Sequence, residues 1–369
     1  MDACARRRHP RGGRLALARL TVGVLTVNAG STSLKLATVE DGVAVTHPDG
    51  LNDVLHGPTP DCVAHRVVHG GDRHGAVRVD NDVVAELQSL TELAPLHQPA
   101  ALRALAQCRD AWPDVPNVAC FDTAFHATLP EAARTYALPA RYRDDVKVYG
   151  FHGLAHSWAV GRIAALAPDA RRVLVAHLGG GQSLCGALDG RSVITTMGFT
   201  PVDGLVMASR SGALDPGALL WLNAHHPGDD LETVLQTESG LLGLCGTGDM
   251  REVHRRADSG DRDARLAFEV WRHRLTTLAG GCIAALGGLD AIVFSGGIGE
   301  HDPRARAALV DALAWLGVVA DDDCDAPDDV IDITGRGSSL RVFVVHTRED
   351  LQMAAEAQSL LTGDASTDR

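Results

Sequence analysis

The sequence predicts an α/β protein made of two copies of one unit with a ligand cleft between them, and three observations support this. A length of 369 residues exceeds what one hydrophobic core usually serves, so two units are expected, and the seam between them is the natural cleft. Residues 24–42, VLTVNAGSTSLKLATVEDG, are echoed by residues 173–190, VLVAHLGGGQSLCGALDG. Each reads as strand, glycine turn, strand and turn, which points to a duplication, although ordinary hairpins share such turns. Short apolar runs also alternate with helical patterns along the chain, as in α/β proteins.

Taken in order, the echo aligns Val24-Leu25 with Val173-Leu174 and Gly30 with Gly179. It continues with Leu34 and Ala37 on Leu184 and Ala187, and Asp41-Gly42 on Asp189-Gly190. The apolar run from Val22 to Val27 is short, β-branched and leads into a glycine turn, so it reads as a first core strand rather than the apolar part of a signal peptide. The arginine-rich residues 1–20 before it are expected to be a disordered tail. Asn117 to Phe121 reads as a strand ending at Asp122, and Ala291 to Phe294 as one ending in Ser295-Gly296-Gly297. Residues 263–286 and 303–316 carry helical patterns, and the last strand, Val342 to Val345, leads into a closing helix. The expected division is a first α/β domain of residues 21–126 plus 351–364 and a second of residues 127–350. Polar residues gather at strand ends, where open α/β sheets bind ligands.

Composition narrows the function classes. A formal charge of −13 argues against nucleic acid or an anionic membrane surface as partner, since both need clustered Lys and Arg. No stretch approaches the roughly 20 apolar residues of a membrane helix. The eight cysteines form no C-x-x-C pair or regular spacing, so neither a zinc site nor a disulfide framework is expected and a reducing cytoplasm fits best. Asp321, Asp323 and Asp325 imitate a calcium loop, but Ala326 and Asp332 stand where glycine and glutamate are needed.

The chemistry-bearing residues lie in glycine-rich turns. No G-x-x-x-x-G-K-[ST] loop is present, so phosphate must bind elsewhere. Asn28-Ala-Gly-Ser31-Thr-Ser33-Leu-Lys35 offers N–H groups, hydroxyls, an amide and a lysine. Arg66, in His65-Arg-Val-Val-His-Gly-Gly71, and Arg210, in Ser209-Arg-Ser-Gly212, stand beside glycines that let a ligand approach. A guanidinium fork suits a carboxylate or a phosphoryl group, and equally suits a structural carboxylate. Asp122 can orient the reacting groups, act through a metal or cap a helix. His152 and His156 have the spacing of metal ligands but lack the HExxH glutamate, and Gly153 interrupts the helix. His152 fits better as a donor to developing charge, or as a satisfied core histidine. Ser295-Gly-Gly-Ile-Gly-Glu300 lacks G-x-G-x-x-G spacing and reads as a flat surface for an adenosine, with Asp249 and Arg251 completing the pocket.

In order along the chain, VNAGSTSLK, HRVVHGGD, LAPLHQPA, FDTAFH, YGFHGLAH, HLGGGQS, MGFTPVDGL, SRSGALDP, SGLLGL, FSGGIGE and TRED closely resemble the acetate kinase family, which includes propionate and butyrate kinases. The likeness runs from residue 22 to residue 358. It implies the duplicated fold of the actin-like and sugar-kinase superfamily, a homodimer, ATP or ADP as co-substrate and Mg²⁺ as cofactor. Carried over, Asn28 and Glu349 would hold Mg²⁺, and Ser31, Ser33, Lys35, His177, Gly179, Gly180 and Gly181 would lie at the phosphates. Arg66 and Arg210 would hold the carboxylate and the transferring phosphoryl group, with Asp122 between them and His152 stabilising the transition state. Val68, Leu96, Phe151 and Pro201 would line the acyl pocket, and Asp249, Arg251, Gly297, Ile298 and Gly299 the adenosine site. The implied activity is ATP-dependent phosphorylation of a short-chain carboxylate, acetate first and propionate or butyrate next; the alternative is a non-catalytic sensor of nucleotide or acyl phosphate. The segment between Lys35 and His65 is shorter than the family pattern, and Gly180, His301 and Arg348 replace asparagines usual there.

Overall fold

The computed structural model describes residues 23–30, 34–48, 50–95, 97–321 and 329–363. The expected tail at residues 1–20 lies outside them, as do Ser31, Ser33, Leu96 and most of the acidic stretch 321–329. The strands are β1 (Val24–Ala29), β2 (Leu34–Glu40), β3 (Val43–His47), β4 (Cys62–Val67), β5 (Val77–Arg78), β6 (Asn117–Phe121), β7 (Arg172–Leu178), β8 (Gln182–Leu188), β9 (Arg191–Thr195), β10 (Ala291–Ser295), β11 (Val330–Asp332) and β12 (Arg341–Val345). They form two six-stranded sheets, in the order β3-β2-β1-β4-β6-β5 and β9-β8-β7-β10-β12-β11.

The two orders are the same topology written twice. In each, an antiparallel meander (β1-β2-β3 or β7-β8-β9) is followed by two parallel strands and closed by an antiparallel edge strand. The duplication read from the echo is therefore a property of this two-sheet α/β fold. The turns match in conformation as well: Asp41 and Gly42 have φ of 50° and 75°, and Asp189 and Gly190 have 51° and 81°. Two successive left-handed residues make the hairpin turn that suits strand twist, and Asp-Gly is a favoured pair there.

The register corrects one detail of the echo. Val24 lies opposite Val39 and Val173 opposite Ala187, while Asn28 lies opposite Lys35 and His177 opposite Ser183. Leu36 and Val39, rather than Leu34 and Ala37, therefore correspond to Leu184 and Ala187. The glycine turn is longer in the first hairpin, which shifts an alignment made on letters alone.

The central strands are buried on both faces, so they read as unbroken apolar runs rather than alternating ones. The helix Glu349–Thr362 returns to the first sheet, where Met353, Ala354 and Ala357 pack with Val24, Ala64 and Val118. The helix Gly153–Leu166 joins the two halves: Leu154 packs with the first sheet's cluster, and Ala159, Val160 and Ile163 pack under the second. The helical pattern at 303–316 is shorter in the structure, where Pro303–Ala312 is followed by a separate 3₁₀ turn, Ala314–Leu316. Among the described residues, no helix is long and apolar enough to cross a membrane.

Candidate active site

The C-terminal ends of β1, β4, β6, β7 and β10 deliver Asn28, Arg66, Asp122, His177 and Ser295 to the seam between the sheets. Arg66 is the organising residue of the first half. Its Nε donates to both oxygens of Asp122 at 3.1 Å, one terminal nitrogen to Asp122 Oδ2 at 2.6 Å and the other to Asn28 Oδ1 at 3.1 Å. Asn28 Nδ2 in turn donates to Glu349 Oε2 at 2.8 Å. The residues expected at the metal and at the reacting groups thus form one network.

Electrostatics within this network are strongly coupled. Burial opposes the charge on Arg66, yet Asp122 and Glu349 hold the guanidinium above its ordinary value. Burial pushes the Asp122 carboxyl up, while Arg66 pulls against it. Burial also works against Glu349, but Arg66, His177, Asn28 and Lys35 hold its carboxyl below the usual range. Lys35, exposed on β2, is therefore within electrostatic reach of the site.

Arg210 and His152 come from the second half and its junction. A Cβ on Gly181 would lie 3.2 Å from His152 Nε2 and 3.5 Å from an Arg210 terminal nitrogen, so the bare glycine lets all three converge. Arg210 donates to the carbonyl of Pro201 at 3.0 Å, and burial, then Arg66, lowers its ordinary value. His152 has a left-handed backbone, φ 58°, a conformation that costs a non-glycine residue energy and often marks function. Its Nδ1 lies 3.0 Å from Ser183 Oγ, and its ring lies 4.7 Å from that of His177.

Two glycines expected at the phosphates and the adenosine also meet: a Cβ on Gly179 would lie 3.8 Å from the Gly297 nitrogen, joining the HLGGG and SGGIG turns. Gly299 sits against the carbonyl of Ala176 on β7, and Ile298 packs on the second half's core. Val68 and Phe151 share one apolar cluster with Tyr149, Met197, Met207 and Phe199, next to Pro201 and Arg210. Asp249 and Arg251 are less tightly placed: Asp249 caps the helix Met250–Asp258, and the exposed Arg251 pairs with it.

Oxygen donors such as those of Asn28 and Glu349 suit a hard cation such as Mg²⁺. Among the described residues no cluster of three His, Cys, Asp or Glu forms a ready metal cage.

The model of the Acetokinase family matches residues 59–355. The chain belongs to this family. The acetate kinase of Leifsonia xyli subsp. xyli is 46% identical, covering 84% of this chain and 80% of that protein. That of Streptomyces avermitilis is 40% identical, covering 94% and 88%. Among solved structures, a propionate kinase from Francisella tularensis subsp. tularensis is 32% identical with a TM-score of 0.83, and the acetate kinase of Porphyromonas gingivalis is 29% identical with a TM-score of 0.82. Each covers 92% of this chain, which covers all of each.

Three departures from the acetokinase pattern now have positions. A side chain at Gly180 would meet open space, so no clash requires glycine there. Arg348 is committed to Asp350 at 3.0 Å and lies 3.5 Å from Asp329, so it does not add a free cation beside Glu349. His301 is exposed, with its ring 6.0 Å from that of His346.

Several residues in the site were not singled out by sequence reasoning. His97 lies in the LAPLHQPA motif, and burial, then Arg210 and Arg66, pushes its imidazole down to about 4. Glu300 accepts from the Gly296 N–H, from Thr347 N–H and Oγ1 and from His346 Nδ1, tying the SGGIG helix to the segment that carries Glu349. Ser183 lies in HLGGGQS and touches both His152 and His156. The motifs contained these residues, but which side chains face the seam depends on long-range packing.

Proposed function

We propose that this protein transfers the γ-phosphoryl group of ATP to a short-chain carboxylate, acetate foremost and propionate or butyrate next, giving an acyl phosphate and ADP reversibly. The observation that carries the reading is the imbalance between two partly buried arginines. Arg66 is matched by Asp122 and lies 3.8 Å from Glu349, whereas Arg210 has no carboxylate partner among the described residues. A cation partly withdrawn from water with no counter-charge is unfavourable until an anion joins it. The site is therefore built to receive negative charge.

In the proposed reaction a substrate carboxylate oxygen attacks the γ-phosphorus, and the bond to the β–γ bridging oxygen breaks as ADP leaves in line. Positioning and charge neutralisation supply the rate, with little covalent work for the protein. Arg66 and Arg210 hold the carboxylate and the transferring group, and Asp122 keeps Arg66 oriented. His152 and His177 donate toward the phosphoryl oxygens, while Val68, Leu96, Phe151 and Pro201 exclude water around the acyl chain. Gly179, Gly180 and Gly181 with Ser31, Ser33 and Lys35 receive the phosphates, and Gly297, Ile298 and Gly299 with Asp249 and Arg251 receive the adenosine. Mg²⁺, held by Asn28 and Glu349, would neutralise phosphate charge when bound.

The two lobes, residues 21–126 with 351–364 and residues 127–350, are proposed to close on the ligands. A cytoplasmic setting is supported by the buried free thiols of Cys62, Cys108, Cys120, Cys185, Cys245 and Cys282. A homodimer is supported by exposed apolar side chains at Leu214, Leu220, Trp221, Leu242 and Leu244 on one stretch of the second half.

A hydroxamate assay with ATP, Mg²⁺ and acetate, propionate or butyrate tests the activity. Acyl-phosphate formation with at least one acid is expected, falling by roughly 10²-fold or more in Arg210→Ala, as for loss of one charge-stabilising group. No product with any acid despite ATP binding would refute the function, and full turnover in Arg210→Ala would refute the site.

A further inference from the structure

Ser183 stands on β8 directly opposite His177, fully buried, with its hydroxyl between two imidazoles. His152 Nδ1 lies 3.0 Å from Ser183 Oγ, and His156 Nε2 lies 2.7 Å from it on the other side. A hydroxyl has one proton and two lone pairs; accepting from both rings would leave its own buried proton without an acceptor among the described residues, so it donates to one ring and accepts from the other. The three groups therefore have two orders when both rings are neutral. Neutrality follows from burial, and then from nearby positive or imidazole groups, which hold both histidines well below the ordinary value.

In one order, His156 Nε2–H donates to Ser183, and Ser183 O–H donates to His152 Nδ1. The proton of His152 then sits on Nε2, the nitrogen that lies against Gly181. In the other order every bond reverses, and His152 Nε2 is a bare lone pair. That order also places the proton of His156 on Nδ1, a buried atom with no hydrogen-bond partner. Stranded buried N–H donors are among the rarest defects in folded proteins. A bare Nε2 would moreover repel incoming phosphate oxygens.

We infer that His156 and Ser183 are positioning residues that hold His152 as its Nε2–H tautomer, so that a neutral ring donates to the transferring phosphoryl group. The donor role rests on the carboxylate-kinase reading; the tautomer does not. The neighbouring His126 supplies an internal reference. Its Nε2 lies 3.0 Å from the carbonyl of Phe151, which can only accept, so the proton there is fixed independently of Ser183.

The test is long-range ¹H–¹⁵N correlation NMR of the full chain labelled in its histidine rings, with His152 assigned by the signal lost in His152→Gln. Wild type is expected to show His152 protonated at Nε2 and bare at Nδ1. Ser183→Ala is expected to lose that fixed pattern while His126 keeps its own, and to lower kcat by roughly tenfold to a hundredfold with KM values little changed. Ser183→Thr, which restores the hydroxyl, should recover the His152 signature. A proton on His152 Nδ1 in the wild type, or an unchanged His152 tautomer and kcat in Ser183→Ala, would overturn the inference. If the wild type forms no acyl phosphate, the kinase reading alone fails, because the spectra still decide the tautomer.

Discussion

The hairpins that open the two sheets share a topology and a turn but differ in the facing pair that flanks each glycine turn. Asn28 and Lys35 face each other in the first, and His177 and Ser183 occupy the equivalent pair in the second. The first hairpin thus offers an amide and a cation to the seam, and the second offers an imidazole and a hydroxyl. Their covering differs too. β8 is buried along nearly its whole length beneath the helix Arg262–Leu286, whereas its counterpart β2 is exposed at Leu34, Lys35 and Glu40 and packs Leu36 with Leu51 of the five-residue helix Leu51–Leu55. The same contrast holds for the arginines, since Arg66 is neutralised by its own half and Arg210 is not. A duplicated frame fixes where side chains can be presented, while charge and stability are set separately in each copy.

The arginine contrast gives the largest expected stability difference. Arg66→Ala strands the buried Asp122 and should lower unfolding free energy by about 3–5 kcal/mol, whereas Arg210→Ala should change it by less than about 1 kcal/mol because no carboxylate loses its partner. Urea denaturation of both variants measures this, and equal losses would break the comparison. The cover of the second hairpin comes next. Trp271 is fully buried and donates to Gln182 on β8 at 2.8 Å, so Trp271→Ala should cost about 3–5 kcal/mol. Leu51→Ala, under the thinner cover of the first, should cost nearer 2 kcal/mol.

A buried acid in the first half gives a pH signature. Burial pushes Glu356 from 4.5 to about 7, although Gln352 and Cys120 hydrogen-bond to it. The folded state therefore binds the proton more tightly than the unfolded state, and stability is lost as pH rises from 4.5 to about 7. Glu356→Gln should flatten that slope and raise stability at pH 8 by up to about 3 kcal/mol; a slope of the opposite sign in the wild type would contradict this. The smallest effect concerns the turns. Gly42→Ala and Gly190→Ala meet no steric obstacle, so each should cost only the left-handed strain of about 1–2 kcal/mol, equal in both hairpins. Thermal melts that separated the two by more than this strain would show that the turns are not equivalent.

Much of the frame was legible in one sequence. The Asp-Gly turns, the apolar central strands and the strand-end positions of Asn28, Asp122 and Ser295 follow from local rules, because turn chemistry and burial on two faces leave local patterns. The register of the echo was not, since a glycine turn of different length shifts an alignment that only strand hydrogen bonds can fix. Helix length at 303–316 failed for a related reason: the chain breaks into a 3₁₀ turn where packing, not propensity, decides the end.

The sequence by itself determined the fold class, the duplication and the family of motifs, because periodicity and glycine placement are local. It also supplied both arginines without distinguishing them. Only the tertiary structure decided that Arg66 is matched by Asp122 across 56 positions of chain while Arg210 has no carboxylate partner among the described residues. Only it placed Ser183 between two histidines. Such assignments depend on which side chains meet after both halves have closed, and charge balance and hydrogen-bond direction are properties of that meeting rather than of any segment.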